Sequence, residues 1–164
     1  MIKKQGISAY DPRVIEVTGI SMMVTAQGAD HTTGNAPKFE CSGKNVDELV
    51  DVSMEMQTLC ATADSLGLCV FGRSVTNANV EMVVDSINAA CGTAFSTDWF
   101  RTLGRQTLRM EAEFNKAAGF TEADDELPTF FYEEALEPSN KVARFHAAEV
   151  NASVRRWWAQ QQVA

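Results

Sequence analysis

Residues 64–69 read DSLGLC and are followed by the pair VF. Helical patterns precede and follow this stretch, and Gly67 interrupts the apolar segment between them. Glycine permits backbone angles that residues with a Cβ resist, and it lets another group approach the main chain closely. Asp64 can accept hydrogen bonds from N–H groups, and Cys69 can present a thiolate to a soft metal. The stretch is therefore either the edge of a cofactor site or a helix end with a buried cysteine.

Other blocks of sequence accompany this stretch in a defined order. Upstream, residues 9–13 read AYDPR and residues 28–31 read GADH, and downstream residues 114–120 read FNKAAGF and residues 124–128 read DDELP. Together with DSLGLC, these blocks resemble the C-terminal part of the tungsten-containing aldehyde ferredoxin oxidoreductases. The resemblance covers roughly residues 8 to 137, which is most of the chain.

The resemblance implies cofactors for the DSLGLC stretch. In that family, two Asp-x-x-Gly-Leu motifs cradle two pterins that share one tungsten, and the sequence does not separate tungsten from molybdenum. Asp64 would accept hydrogen bonds from the pterin, while Gly67 and Leu68 would let the backbone approach its rings. Cys69 would be one metal ligand of a 4Fe–4S cluster. The implied reaction is oxidation of an aldehyde to a carboxylic acid, with ferredoxin as the electron acceptor.

His31 is the candidate catalytic residue. It lies in a segment with Gly34, Pro37 and Gly43, which predicts a loop. From the residues alone, a solvent-exposed loop histidine is the favoured interpretation. The resemblance implies instead that His31 reaches the substrate pocket beside the tungsten, where an imidazole suits proton transfer because its reference pKa is near neutrality. The adjacent Asp30 is a candidate to orient the ring.

The sequence contains one pterin motif and one cysteine that matches a cluster ligand. Because the family's N-terminal β-rich domain and Cys-rich loop have no counterpart here, we expect a fragment or subunit that is inactive alone. Its partner would be that N-terminal domain, and the uncovered surface could self-associate. Two alternatives stay open. One is a helical interaction domain in which Cys69 is an ordinary buried thiol, and the other is part of a tungsten enzyme that reduces an aromatic thioester.

Composition narrows the class of protein. The 164 residues, 45% of them hydrophobic, suit one domain over residues 1–164. A net charge of −8 argues against nucleic-acid binding, which needs Lys and Arg. No apolar run is long enough to cross a membrane and no signal-peptide core is present, so we expect a cytoplasmic protein. The four cysteines form no C-x-x-C pair, which argues against a zinc ribbon or a disulfide framework.

Helical periodicity runs through nearly all segments, and period-two alternation is missing. We therefore predict an all-α domain of about five to seven helices with irregular connecting loops. The predicted helix starts are Asp11-Pro12, Asn45 or Asp47, Thr76 or Asn77, Ser96-Thr97, and Ser139 or Asn140. The predicted glycine stops are Gly28, Gly92 and Gly119. Residues 160–164 are expected to fray.

The helix after Ser96-Thr97 has the clearest apolar pattern. Its predicted buried stripe is Trp99, Leu103, Met110 and Phe114. Gly104 inside this helix is predicted to be a mild weak point, because glycine is a poor helix former.

Overall fold

A computed structural model describes residues 1–161. That part of the chain contains seven α-helices and no β-strand, as the periodicity predicts. The helices are α1 (Glu16–Val24), α2 (Val46–Ser65), α3 (Arg73–Thr76), α4 (Val80–Cys91), α5 (Asp98–Ala117), α6 (Phe130–Glu133) and α7 (Ala147–Gln160). Short 3₁₀ turns occupy Val70–Gly72 and Glu122–Asp125. Of the residues expected to fray, 162–164 lie outside the described part.

The long helix α2 is the centre of the fold, and α1, α5 and α7 pack around it. It begins where the sequence predicts: the Asn45 side chain accepts from the Glu48 N–H, and the Glu48 carboxylate accepts from the Asn45 N–H, both at 3.0 Å. This reciprocal pair satisfies two of the free N–H groups at the helix start. The main core joins α1, α2 and α7 through Val17, Met22, Leu49, Val50, Val150 and Trp157.

Helix α5 packs on α2 through a glycine. A Cβ built on Gly104 would overlap the Thr58 carbonyl oxygen of α2 and stand 2.5 Å from Thr62 Oγ1. Thr62 Oγ1 also donates to the carbonyl oxygen of the fully buried Phe100, at 2.7 Å. The backbones of the two helices therefore approach closely at this crossing. Gly104 is therefore a packing contact, a role that its low helix propensity does not predict.

The predicted apolar stripe of α5 is wrong in its second half. Met110 is 61% exposed and Phe114 is 72% exposed. The buried residues of the helix are Phe100 and Gly104, both in its first half. Further along the helix, Leu108 packs against the main core, whereas Met110 and Phe114 lie at the surface.

Three helices start later than the sequence predicts, and the difference is largest for α1 and α7. Helix α1 begins at Glu16 rather than at Asp11-Pro12, because the Asp11 carboxylate accepts from the backbone and side chain of Arg13 and closes a turn there. Helix α7 begins at Ala147 rather than after Ser139 or Asn140. Residues 136–141 form a turn instead, in which Leu136 N–H donates to the Lys141 carbonyl at 2.9 Å.

Helix α4 starts at Val80, after Asn79, because Thr76 and Asn77 end the short α3. Its predicted stop is confirmed, since Gly92 has a φ of 67° and follows Cys91 directly. Through residue 161, none of the helices combines the length and apolarity needed to cross a membrane.

Candidate cofactor-binding site

The DSLGLC stretch forms the C-terminal end of α2. The Leu68 N–H donates to the Ala63 carbonyl at 2.8 Å, and the Gly67 N–H donates to the Asp64 carbonyl at 3.1 Å. These two bonds define a Schellman motif, in which the residue after the C-cap is left-handed. Gly67 has a φ of 66°, and a Cβ added there would meet nothing within 4 Å. The left-handed angle, and not a lack of space, requires glycine.

Two leucines of the turn attach it to the rest of the domain. Leu66 and Leu68 pack against a second apolar cluster made by Val83, Val84 and Phe100. Because these contacts face the protein, the main chain at Gly67 faces open space. The backbone of the motif is therefore fixed in place and accessible from outside.

The two chemical groups of the motif are both at the surface. The Asp64 side chain is 60% exposed, and its ion pair with Arg73 has an N–O distance of 3.7 Å. That distance is longer than a hydrogen bond, so the carboxylate keeps acceptor positions free. The Cys69 thiol is also exposed. The expectation of a buried thiol at Cys69, which belonged to the alternative of a helical interaction domain, is therefore wrong.

Exposed apolar side chains follow the motif directly. Phe71 is 93% exposed, which is unusual for a side chain of that size. Val70 is exposed next to Phe71 in the chain, and Val75 and Met82 are exposed further along, on α3 and α4. We call these four residues the Phe71 surface.

His31 lies in the loop that joins α1 to α2 and is partly exposed. Its ring stacks on Tyr10, with centroids 4.5 Å apart. Its Nδ1 is 3.9 Å from Asp30 Oδ1, too far for a hydrogen bond. The Asp30 carboxylate instead accepts from the Thr32 N–H at 2.9 Å and the Thr32 hydroxyl at 2.7 Å. Asp30 thus shapes the turn, and Tyr10 orients the ring.

Arg73, the first residue of α3, joins the His31 loop to the motif. Its Nη1 donates to the Thr32 carbonyl at 2.9 Å and contacts Cys60 Sγ, while its Nη2 faces Asp64. Cys60 and Asp64 are four residues apart and share a face of α2. Sequence reasoning missed Arg73, Cys60 and Tyr10. The available signal was the i, i+4 spacing of Cys60 and Asp64 just before the turn at Gly67, which places both side chains on one face of α2.

Cys60 is buried, in contrast to Cys69. Burial raises the pKa of its thiol to about 11, and the nearby Arg73 guanidinium acts in the opposite direction with a smaller effect. Burial thus favours the protonated form of this thiol. It serves as a packing and hydrogen-bonding group between α2 and the loop.

Comparison with known proteins identifies the family of this chain. The family profile described as aldehyde ferredoxin oxidoreductase, domains 2 and 3, matches residues 1–161. The chain belongs to the aldehyde ferredoxin oxidoreductase family. This confirms the resemblance drawn from the sequence blocks.

Curated members of the aldehyde ferredoxin oxidoreductase family are similar to the chain over 144 residues. The tungsten-containing aldehyde ferredoxin oxidoreductases of Pyrococcus horikoshii and Thermococcus kodakarensis are 33% identical, and that of Pyrococcus furiosus is 31% identical. Each alignment covers 82% of this chain and 23% or 24% of the relative. The chain thus spans about a quarter of the length of these relatives. No solved structure gave a significant match.

The residues present fit part of what an aldehyde ferredoxin oxidoreductase binds. An exposed carboxylate beside an open, fixed backbone turn suits a ring with N–H donors. An exposed thiol suits one ligand position of an iron–sulfur cluster, which as a rule takes four protein ligands. Among residues 1–161, no three His, Cys, Asp or Glu side chains are grouped so as to hold a metal ion. The described residues therefore do not form a complete metal site.

Proposed function

We propose that this chain contributes one pterin-binding motif and one cluster ligand to an enzyme that oxidises an aldehyde to a carboxylic acid, with ferredoxin as the electron acceptor. The observation that supports it is the open end of α2, where Asp64 and Cys69 are both exposed around the turn at Gly67. The remaining ligands would come from the N-terminal domain of the same enzyme. The chain alone is then inactive.

Asp64 would recognise the pterin. An ionised carboxylate that accepts from ring N–H groups makes charge-assisted hydrogen bonds, which are roughly twice as strong as neutral ones. Asp64 lies in the Schellman motif, and the partly buried leucines of the turn pack it against the second apolar cluster. Gly67 presents backbone without a side chain, so that a flat ring can approach it.

Cys69 and His31 would have separate tasks. Cys69 would bind iron as a thiolate, and the cluster and the tungsten bis-pterin supply the electron-transfer chemistry when bound. His31 would take up or give a proton at the reacting oxygen through a ring nitrogen. Its stacking on Tyr10 leaves the ring edge, which carries both nitrogens, free to face a ligand.

Metal analysis of variants tests this assignment. In the holoenzyme that contains this chain, purified without oxygen, we expect Cys69→Ala to lose cluster iron and Asp64→Ala to lose tungsten and pterin severalfold. Cys91→Ala and Asp85→Ala are matched controls, since Cys91 is also an exposed thiol and Asp85 an exposed carboxylate. We expect both controls to keep wild-type iron and tungsten. Wild-type metal content in both site variants would reject the assignment.

The Phe71 surface would contact the rest of the enzyme. Exposed apolar side chains in groups commonly mark interfaces, and Val70 and Phe71 directly follow the turn at which the cofactors would bind. A domain that brings the missing ligands to Asp64 and Cys69 has to approach from this side. Contact with that domain would bury Phe71, which otherwise stays 93% exposed.

Self-association of the separate 164-residue chain should therefore depend on Phe71. We expect Phe71→Ser to lower the fraction of dimers and larger species severalfold in sedimentation velocity, because burying one Phe contributes about 1.5–3 kcal/mol. Phe114→Ser is the matched control, since Phe114 is 72% exposed on α5, away from the motif in sequence. An equal effect of both variants would show that the Phe71 surface is not a specific contact.

A further inference from the structure

We propose that Arg73 is a positioning residue that couples the His31 loop to the Asp64 end of α2. It would hold the proton-handling side chain at a fixed distance from the carboxylate that contacts the pterin. This inference rests on the proposed function, because it gives Arg73 a role only through His31 and Asp64.

The Arg73 guanidinium contacts two other segments of the chain, the His31 loop and α2. Arg73 Nη1 donates to the Thr32 carbonyl at 2.9 Å and contacts Cys60 Sγ, and Nη2 is 3.7 Å from Asp64 Oδ1. Cys60 Sγ itself is 3.5 Å from the Thr32 carbonyl oxygen. The loop, the last turns of α2 and the start of α3 therefore meet at this side chain.

The turn at Gly67 explains how Arg73 arrives there. The Schellman motif reverses the chain after α2, and the 3₁₀ turn Val70–Gly72 leads it into α3. Arg73 thereby folds back over the face of α2 that carries Cys60 and Asp64. Only 16% of its side chain is exposed, so its contacts are largely shielded from water.

The contact with Thr32 is a contact with the turn that carries His31. Thr32 binds the Asp30 carboxylate through both its N–H and its hydroxyl, so residues 30–32 form one closed unit. On the other side, His31 stacks on Tyr10. Holding the Thr32 carbonyl thus fixes the backbone from which the His31 ring projects.

Charge balance at Asp64 does not account for this arrangement. Asp64 is 60% exposed and the ion pair is beyond hydrogen-bond distance, and exposed pairs of this kind contribute little. The Thr32 contact, in contrast, has hydrogen-bond geometry and uses the planar fork that distinguishes arginine from lysine. The shape of the side chain therefore matters as well as its charge.

The test uses Arg73→Met and Arg73→Lys in the holoenzyme that contains this chain. For Arg73→Met we expect hydrogen exchange in residues 28–36 to rise about 10- to 100-fold, the range for losing a hydrogen bond from a charged group. We expect kcat to fall about tenfold or more with little change in KM, and tungsten content to stay at the wild-type level. Arg73→Lys should restore part of the kcat and of the protection.

Arg101→Met is the matched control, because Arg101 also joins a neighbouring helix to α2, through Glu55 at 2.7 Å. It should leave exchange in residues 28–36 unchanged. Wild-type exchange and kcat in Arg73→Met would overturn the inference, and so would loss of tungsten in proportion to loss of activity. If the proposed function itself fails, Asp64→Ala keeps its tungsten, whereas exchange in the Arg73 variants still reports whether the loop is held.

Discussion

Replacing Gly104 with alanine is expected to lower the free energy of unfolding by about 2–3 kcal/mol, the usual cost of overpacking a tight contact. The added Cβ would overlap the Thr58 carbonyl oxygen and crowd Thr62 Oγ1. Backbone atoms of a buried helix cannot move aside as a flexible side chain can. Helices α2 and α5 would have to separate, which also loosens the packing around Phe100 beneath the motif.

Whether Gly104→Ala raises or lowers the free energy of unfolding distinguishes close helix packing from helix propensity. If only helix propensity mattered, alanine would stabilise α5 by about 1 kcal/mol relative to glycine. Urea unfolding followed by circular dichroism distinguishes the two results. Gly6→Ala is the control, because a Cβ at Gly6 meets nothing within 4 Å, and it should leave the transition midpoint nearly unchanged. A more stable Gly104→Ala variant would refute the close helix crossing.

Features set by a few adjacent residues could be predicted from the sequence. The Asn45 cap of α2 and the left-handed Gly92 after α4 are local: each needs only its own hydrogen bonds and backbone angles. The all-α class likewise follows from periodicity that repeats along the chain. Such local sequence signals are strong because they do not depend on contacts with distant segments of the chain.

Features that depend on distant contacts could not be predicted in this way. The predicted apolar stripe includes Met110 and Phe114, but α5 packs through Phe100 and Gly104 instead. Asp11 and Asn140, which the sequence predicts to be helix caps, lie in turns instead. In each case, contacts with residues distant in the chain override the local preference of the residue.

The candidate site divides in the same way. Asp64, Gly67 and Cys69 stand in one short motif and are recognisable together. Arg73 and Tyr10 contact the site only because the chain folds them back onto the helix and the loop. No spacing rule predicts that a guanidinium after a helix will bind a carbonyl 41 residues earlier.

Replacing His31 with alanine is expected to lower turnover of the holoenzyme by about 10²- to 10⁴-fold, the range for loss of a general acid–base group. That range corresponds to about 3–5 kcal/mol in activation free energy. Iron and tungsten contents should stay at the wild-type level, since His31 is assigned neither to pterin nor to cluster binding. Steady-state kinetics and metal analysis on the same preparation measure both quantities.

The chain supplies its own control for the imidazole. His146 is the second of the two histidines and stacks on Tyr132 with centroids 4.0 Å apart, much as His31 stacks on Tyr10. It lies at the N-cap of α7, outside the candidate site, so His146→Ala should keep nearly full turnover. His31→Gln separates hydrogen bonding from proton transfer, because glutamine can donate and accept hydrogen bonds but does not titrate. If His31→Gln retains full activity, His31 acts by hydrogen bonding alone, and full activity in His31→Ala would exclude it from the reaction.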